Sequence, residues 1–320
     1  MTADSPPTHP DAATAYAPAS IGNVGVGYDV LGCALEGVAG DRVTVRRTDD
    51  PGVRVASVEG PGADVLPTTP EENTATAALL SLRKETELTF GFEVAIKKGI
   101  PLSSGMGGSA ASAVGAVVAA NAVLPEPLPQ DDLLRHALQG EAVASGSIHA
   151  DNVAPCLYGG LILTRAVDPP DVISIPAPSG VRCVLVHPHL TIRTREARAC
   201  VPDVLPTTDV TRQTAHLGAF IAGCYRGDVP LLGRSLRDLL VEPHRAALVP
   251  GFASVQSAAM DAGALGCTLA GAGPSLFAWC RTNDAPTVRA AMTEAFAATE
   301  TTTDAWISAI DAPGAHLVED

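Results

Sequence analysis

Residues 100 to 112 read IPLSSGMGGSAAS, and the run rich in alanine and valine that follows extends to Leu124, where LPEPLP ends it. This stretch constrains the fold more than any other. Gly105, Gly107 and Gly108 stand directly before the helical pattern, and a helix over 108–124 of such composition must be buried. Phosphate cradles are built in this order: backbone N–H groups approach the oxygens where no Cβ intervenes, and the free N–H groups of the helix favour an anion. On that reading Gly107→Val should block anion binding and leave the fold intact. A plain glycine-rich turn fits the same residues.

Two common phosphate loops can be compared with it. A Walker A loop needs a Lys-Ser/Thr pair after its second glycine, and none is near. GMGGSA does satisfy G-x-G-x-x-A, but the dinucleotide fingerprint also needs a second strand ending in an acid about 20 residues on. LPEPLPQDD stands there instead.

Elsewhere, TAYAPAS, DRVTVRR, GVRVASV and TFGFEVAIKK read as strands, and TATAALLSLRKE and residues 130–145 as helices. GSIHADNVAPCLYGGLILTRA reads as a loop feeding a strand. The proline-dense VDPPDVISIPAPSG suggests a domain junction within 165–180. Beyond it follow a strand VRCVLVHP, several helices between 195 and 263, strands LGCTLAG and SLFAWC, a helix APTVRAAMTEAFAAT and a terminal strand pair. Adjacent strands without intervening helices favour an α+β layout over a doubly wound sheet. The division expected is a disordered tail over 1–13, a first domain over 14–170 and a second over 171–320.

With 21 Lys and Arg against 35 Asp and Glu, the formal net charge is −14. That excludes a sequence-independent nucleic-acid binder, which needs a basic face to release counterions. A few arginines can still hold a small anion locally. No apolar stretch reaches the roughly 20 residues of a membrane span, and the first residues lack the pattern of a signal peptide, so a cytoplasmic protein is expected. Seven cysteines without a CxxC pair suggest neither a disulfide framework nor a zinc site.

Three further constellations carry polar side chains. APASIGNVGVGYDVLG (17–32) puts Asn23 and Asp29 on a glycine-punctuated loop, where both residue types are also ordinary turn formers. GSIHADNVAP packs His149, Asp151 and Asn152 into four residues. LAGAGPSLFAW (269–279) is a third glycine turn between strands, where a tight hairpin is the simpler explanation.

Taken with PLSSGMGGSAAS, these segments resemble, in order, the three motifs of the GHMP kinases. GSIHADNVAPCLYGG, TREARACVP and VEPHRAALVPGF are similar to the branch that phosphorylates L-homoserine. The resemblance runs from about Tyr16 to Val318. It implies a two-domain α+β fold, with an N-terminal domain like domain 2 of ribosomal protein S5 and a ferredoxin-like C-terminal domain. It also implies ATP and Mg²⁺ as cofactors, L-homoserine as the small-molecule partner, no nucleic-acid or membrane partner, and leaves a homodimer open.

Residue by residue, the resemblance gives the ATP phosphates Pro101, Leu102, Ser103, Ser104, Gly105, Met106, Gly107, Gly108, Ser109, Ala110 and Ala111, with Asn73 and Lys98 near the nucleotide. Ser109 and Glu141 match the Mg²⁺ ligands. Asp29 matches the ammonium partner, Asn23 sits near the reacting hydroxyl, and Arg198 and Arg245 match the carboxylate partners. Thr194, His149 and Asp151 line the same pocket. Asn23, Ser109, Glu141, Asp151 and Asn152 form the implied catalytic set, with a base role for Asp151 left open because phosphoryl transfer depends mainly on alignment and charge neutralisation. Gly108 departs from the family pattern, which has a serine there. A kinase for another small alcohol and a catalytically silent nucleotide-binding module are the alternatives.

Overall fold

The structure, a computed structural model, describes residues 10–319. In chain order the strands are β1 (Ala12–Ala17), β2 (Ser20–Gly22), β3 (Leu31–Ala34), β4 (Asp41–Thr48), β5 (Val53–Glu59), β6 (Gly91–Lys97), β7 (Leu161–Val167), β8 (Pro170–Ile175), β9 (Val181–Pro188), β10 (Ala264–Leu269), β11 (Leu276–Arg281), β12 (Thr303–Ser308) and β13 (His316–Val318). The helices are α1 (Thr74–Thr86), α2 (Gly108–Ala122), α3 (Gln130–Ser145), α4 (Val153–Tyr158), α5 (Thr194–Ala199), α6 (Thr207–Arg226), α7 (Val229–Ser235), α8 (Glu242–Arg245), α9 (Phe252–Asp261) and α10 (Ala285–Ala297).

The first sheet has the order β13-β1-β4-β6-β5, antiparallel except for the β5–β6 pair. On β4, Val43 and Val45 are buried while Arg42 and Arg46 are exposed, so one face meets the core and the other meets water. The buried face carries α2, which also touches α1 and α3. Ten of the eleven residues of α2 from Ala110 to Ala120, all but Val118, are buried alanine, valine, serine and glycine, and side chains this small allow close approach on every side. Asn73 starts α1 by accepting hydrogen bonds from the N–H groups of Ala75 (3.1 Å) and Thr76 (3.5 Å).

A small antiparallel sheet, β2-β3-β7-β8, completes the first domain. The proline-dense segment expected to join the domains is mostly the β7–β8 hairpin, with Leu161 opposite Ile175 and Val167 opposite Pro170. Prolines are tolerated there because β8 is an edge strand. A boundary after 170 therefore cuts a hairpin. The tail expected over 1–13 is also too long: Ala12 and Ala13 pair with Arg46 and Val45, while 1–9 lie outside the described residues.

The second domain follows β-α-β-β-α-β order, with α5–α9 between β9 and β10, and its antiparallel sheet runs β10-β11-β9-β12. This is the ferredoxin-like arrangement. Strand alternation divides its side chains between two cores. Cys183, Leu185, Phe277 and Trp279 join the core of the first domain, where Phe220 of α6 lies 5.2 Å from the Trp279 ring; Val184, Val186, Leu276 and Ala278 pack with Val255, Val288, Met292 and Phe296. A shared core explains why no linker separates the domains. The terminal strands β12 and β13 belong to different sheets, and β13 returns to pair with β1. No helix among the described residues is long and apolar enough to cross a membrane.

Candidate active site

Segments from both domains surround a cleft of about 550 Å³. The glycine loop before α2 forms one wall, the β2–β3 loop and residues 149–152 another, and α5, Arg245 and the β10–β11 turn close the far side. Of the residues named from the sequence, Asn23, Asp29, Asn73, Lys98, Leu102, Ser103, Ser104, Gly105, Gly107, Gly108, Ser109, Glu141, His149, Asp151, Asn152, Thr194, Arg198 and Arg245 all line it. Met106, Ala110 and Ala111 do not: they are core residues with no exposed surface, and Pro101 also stands outside the lining.

The glycine loop is braced from two directions. Ser275, after the β10–β11 turn, donates from its hydroxyl (2.7 Å) and its N–H (3.2 Å) to the carbonyl of Ser104. From below, the buried ammonium of Lys98 bonds the Asp41 carboxylate, the Gly108 carbonyl (2.7 Å) and the Ser112 hydroxyl (2.9 Å). Its three donors are thereby used, so Lys98, which lines the cleft, anchors the start of α2. Asn73 is likewise engaged, its oxygen capping α1 and its amide donating to the Pro67 carbonyl at 2.9 Å.

Gly107 has φ +68°, and a Cβ there would lie 2.2 Å from Ser20 Oγ and 3.0 Å from Asn152 Oδ1. The space that requires a glycine is filled by protein, so the expectation of a fold-neutral Gly107→Val is overturned. Asn152 itself accepts from the Ser20 hydroxyl at 3.0 Å and stands at the start of α4, a short helix where the sequence suggests a loop.

Ser109 donates to Glu141 Oε1 at 3.0 Å, while Oε2 of Glu141 is buried with no hydrogen-bond partner among the described residues. Burial pushes the Glu141 pKa up to about 7, with the Ser109 bond acting in the opposite direction. Asp151 is 4% exposed and is pushed to about 7 by burial, then by the charge of Asp29. It fits only because residue 22 is glycine: a Cβ at Gly22 would come within 2.3 Å of Asp151 Oδ2.

Asn23 organises the β2–β3 loop. Its N–H donates to Asp151 (3.1 Å), its amide to the Gly271 carbonyl (3.0 Å), and its side-chain oxygen accepts from the Asp29 N–H (3.0 Å). Both Asn23 (φ 69°) and Asp29 (φ 59°) are left-handed, a strain held in place by these bonds.

Asp29 receives two bonds from Arg198, at 2.8 and 3.1 Å, and His149 Nδ1 lies 3.5 Å from it. Burial pushes the His149 pKa down, with Asp29 opposing. Arg245 is 2% exposed and donates to the carbonyls of Ala197 (2.9 Å) and Gly271 (3.3 Å). Both guanidinium groups reach the hydroxyl of Tyr28, Arg198 at 3.0 Å and Arg245 at 3.4 Å. Tyr28 was missed by the sequence reading, as were Asp41, Arg193 and Arg195; the last two line the cleft on either side of Thr194. Adjacency to Asp29 was the one available signal for Tyr28.

Comparison with known proteins gives the family. The model described as "GHMP kinases N terminal domain" matches residues 73–160, and that described as "GHMP kinases C terminal" matches 220–298. A homoserine kinase of Xylella fastidiosa is 48% identical over 307 residues, covering 96% of this chain and 94% of its own. One from Chloroherpeton thalassium is 43% identical, covering 95% and 99%. The crystal structure of homoserine kinase from Cytophaga hutchinsonii superposes with a TM-score of 0.92 at 39% identity, covering 99% of this chain and all of that one. Leishmania major mevalonate kinase, 16% identical with a TM-score of 0.67, shares the fold. The braced glycine loop, the paired acid and arginines and these matches lead to one conclusion: the chain belongs to the homoserine kinases of the GHMP kinase family.

Proposed function

We propose that the protein transfers the γ-phosphoryl group of ATP to the hydroxyl of L-homoserine, giving ADP and O-phospho-L-homoserine for threonine biosynthesis. One observation carries the choice of acceptor. Asp29, Arg198 and Arg245 meet around Tyr28, and Arg245 has no carboxylate within ion-pairing distance among the described residues. Two guanidinium groups against one carboxylate leave an excess positive charge, which suits a ligand carboxylate, while Asp29 suits an ammonium. An amino acid carries both.

Glu141 and Ser109 offer hard oxygen donors, and the buried Oε2, unpartnered among the described residues, is where a cation would relieve the cost of the charge. This fits Mg²⁺, which takes few protein oxygens and is completed by water and phosphate. When bound, Mg²⁺ neutralises phosphate charge as the phosphoryl group passes to the acceptor. The chain's residues do the positioning: the loop over 102–109 holds the phosphates, and Arg198, Arg245 and Asp29 fix the acceptor. Four carboxylates line the cleft, Asp29, Glu72, Glu141 and Asp151. Asp29 is paired, Glu141 is directed to the cation and Glu72 is exposed, which leaves Asp151, near neutral pKa, to take the hydroxyl proton as the new O–P bond forms and the bond to ADP breaks. The seven cysteines are all free thiols, six of them buried, which supports a cytoplasmic location.

Coupled ADP release measured across amino-acid alcohols tests this reading. Turnover that requires L-homoserine is expected; equal turnover of alcohols lacking a carboxylate, or none with homoserine, overturns it.

A further inference from the structure

The groups assigned to the substrate's ammonium and to its carboxylate are bonded to each other. Asp29 Oδ1 accepts from Arg198 Nη2 at 2.8 Å and Oδ2 from Nη1 at 3.1 Å, a two-point match of fork and carboxylate. Both side chains are about a quarter exposed, 26% and 27%, so a ligand can reach them. Arg198 Nε is buried and has no partner among the described residues. The Tyr28 hydroxyl accepts from both arginines, and its ring lies 5.7 Å from the Arg198 guanidinium carbon and 5.3 Å from that of Arg245. Tyr28 thus keeps two like charges side by side without needing Asp29.

The charges decide which ligands can open this pair. An amine without a carboxylate can claim Asp29 only by stripping it from Arg198, which leaves two guanidinium groups together and no anion. A carboxylate without an amine can take Arg198 from Asp29 only by leaving that carboxylate with His149, 3.5 Å away, in place of a guanidinium fork. A zwitterion replaces the one internal pair with a contact to each of its own charged groups. Resting on the reading of homoserine as acceptor, we infer that the Asp29–Arg198 pair is a selectivity lock, closed in the free protein and opened by α-amino-acid zwitterions, with the Tyr28 hydroxyl holding Arg198 beside Arg245 while Asp29 turns to the ammonium. Specificity then comes from a competitor built into the pocket as well as from contacts to the ligand.

A lock differs from simple contacts in the sign of its effects. Equilibrium binding of L-homoserine, 3-amino-1-propanol and 4-hydroxybutyrate to the full chain should be measured calorimetrically for the wild type, Arg198→Gln and Asp29→Asn, with a fluorescent ATP analogue confirming that each variant is folded. Arg198→Gln should weaken homoserine at least tenfold yet tighten 3-amino-1-propanol about threefold or more, because Asp29 has been released. Asp29→Asn should weaken homoserine and tighten 4-hydroxybutyrate. Tyr28→Phe, which keeps the ring, should raise KM for homoserine about threefold to tenfold and leave KM for ATP unchanged. If either charge variant leaves its single-charge ligand unchanged or weaker, or if Tyr28→Phe leaves KM for homoserine unchanged, the lock is wrong. Turnover of homoserine by the intact enzyme would still stand in that case, whereas its absence would remove the substrate assignment itself.

Discussion

Asp151→Asn should make the protein more stable and nearly inactive, with a stability gain that depends on pH. Burial and the Asp29 charge raise the Asp151 pKa from 3.8 to about 7. Between those values the folded chain keeps a proton that the unfolded chain releases, so stability falls as pH rises to about 7 and levels off above it. A rise of roughly three pH units is equivalent to about 4 kcal/mol of penalty on the ionised form, an upper bound. Asparagine can still accept the bond from the Asn23 N–H, but its amide needs an acceptor, which costs about 1–3 kcal/mol if none is found. A net gain of about 1–3 kcal/mol at pH 8 follows, a few degrees in Tm, shrinking to little or nothing near pH 4.5. Thermal unfolding of the ligand-free protein at the two pH values measures this, alongside kcat, which should fall about 10²-fold or more. A gain of equal size at both pH values would show that Asp151 bears no buried charge. Undiminished kcat would remove it as proton acceptor.

The other predictions concern the cradle and the cation. Glu141→Gln should depress kcat about 10²-fold or more while changing homoserine affinity little, and should raise the Mg²⁺ concentration needed for half-maximal rate; equal losses in both terms would mark it as a structural helix acid. Lys98→Met strands the buried Asp41 carboxylate and should cost about 3–5 kcal/mol in urea unfolding, part of which Asp41→Asn in the same chain should restore. Gly107→Val should lower Tm along with ATP affinity, since its Cβ meets Ser20 and Asn152; lost affinity at an unchanged Tm would revive the idea that phosphate fills that space.

Much of this site was legible because its chemistry is concentrated in short motifs. Asp29, Ser109, Glu141, Asp151, Arg198 and Arg245 could each be named from sequence and all reach one cleft. What stayed hidden depends on burial and pairing, which a linear string does not record. Lys98 reads as a residue near the nucleotide, and its burial against Asp41, 57 positions away, is not visible in the sequence. Prolines at 169 and 170 read as a break, whereas the edge position of β8 accommodates them. Met106, Ala110 and Ala111 belong to the loop motif yet face inward, because the helix that presents the cradle must also bury its own first turn.

Strand β13 has a consequence for synthesis. It borders β1, with Val318 opposite Thr14 and His316 opposite Tyr16, so the sheet beneath the glycine loop is finished by residues made after the whole second domain. A chain halted anywhere beyond β12 but before 316 would carry every residue of the cleft and still leave the edge of β1 bare. Such an edge invites pairing with another copy. A chain can therefore cover its own first strand only once residues 316–318 have been made, and products halted before them carry an adhesive mark that longer ones lack.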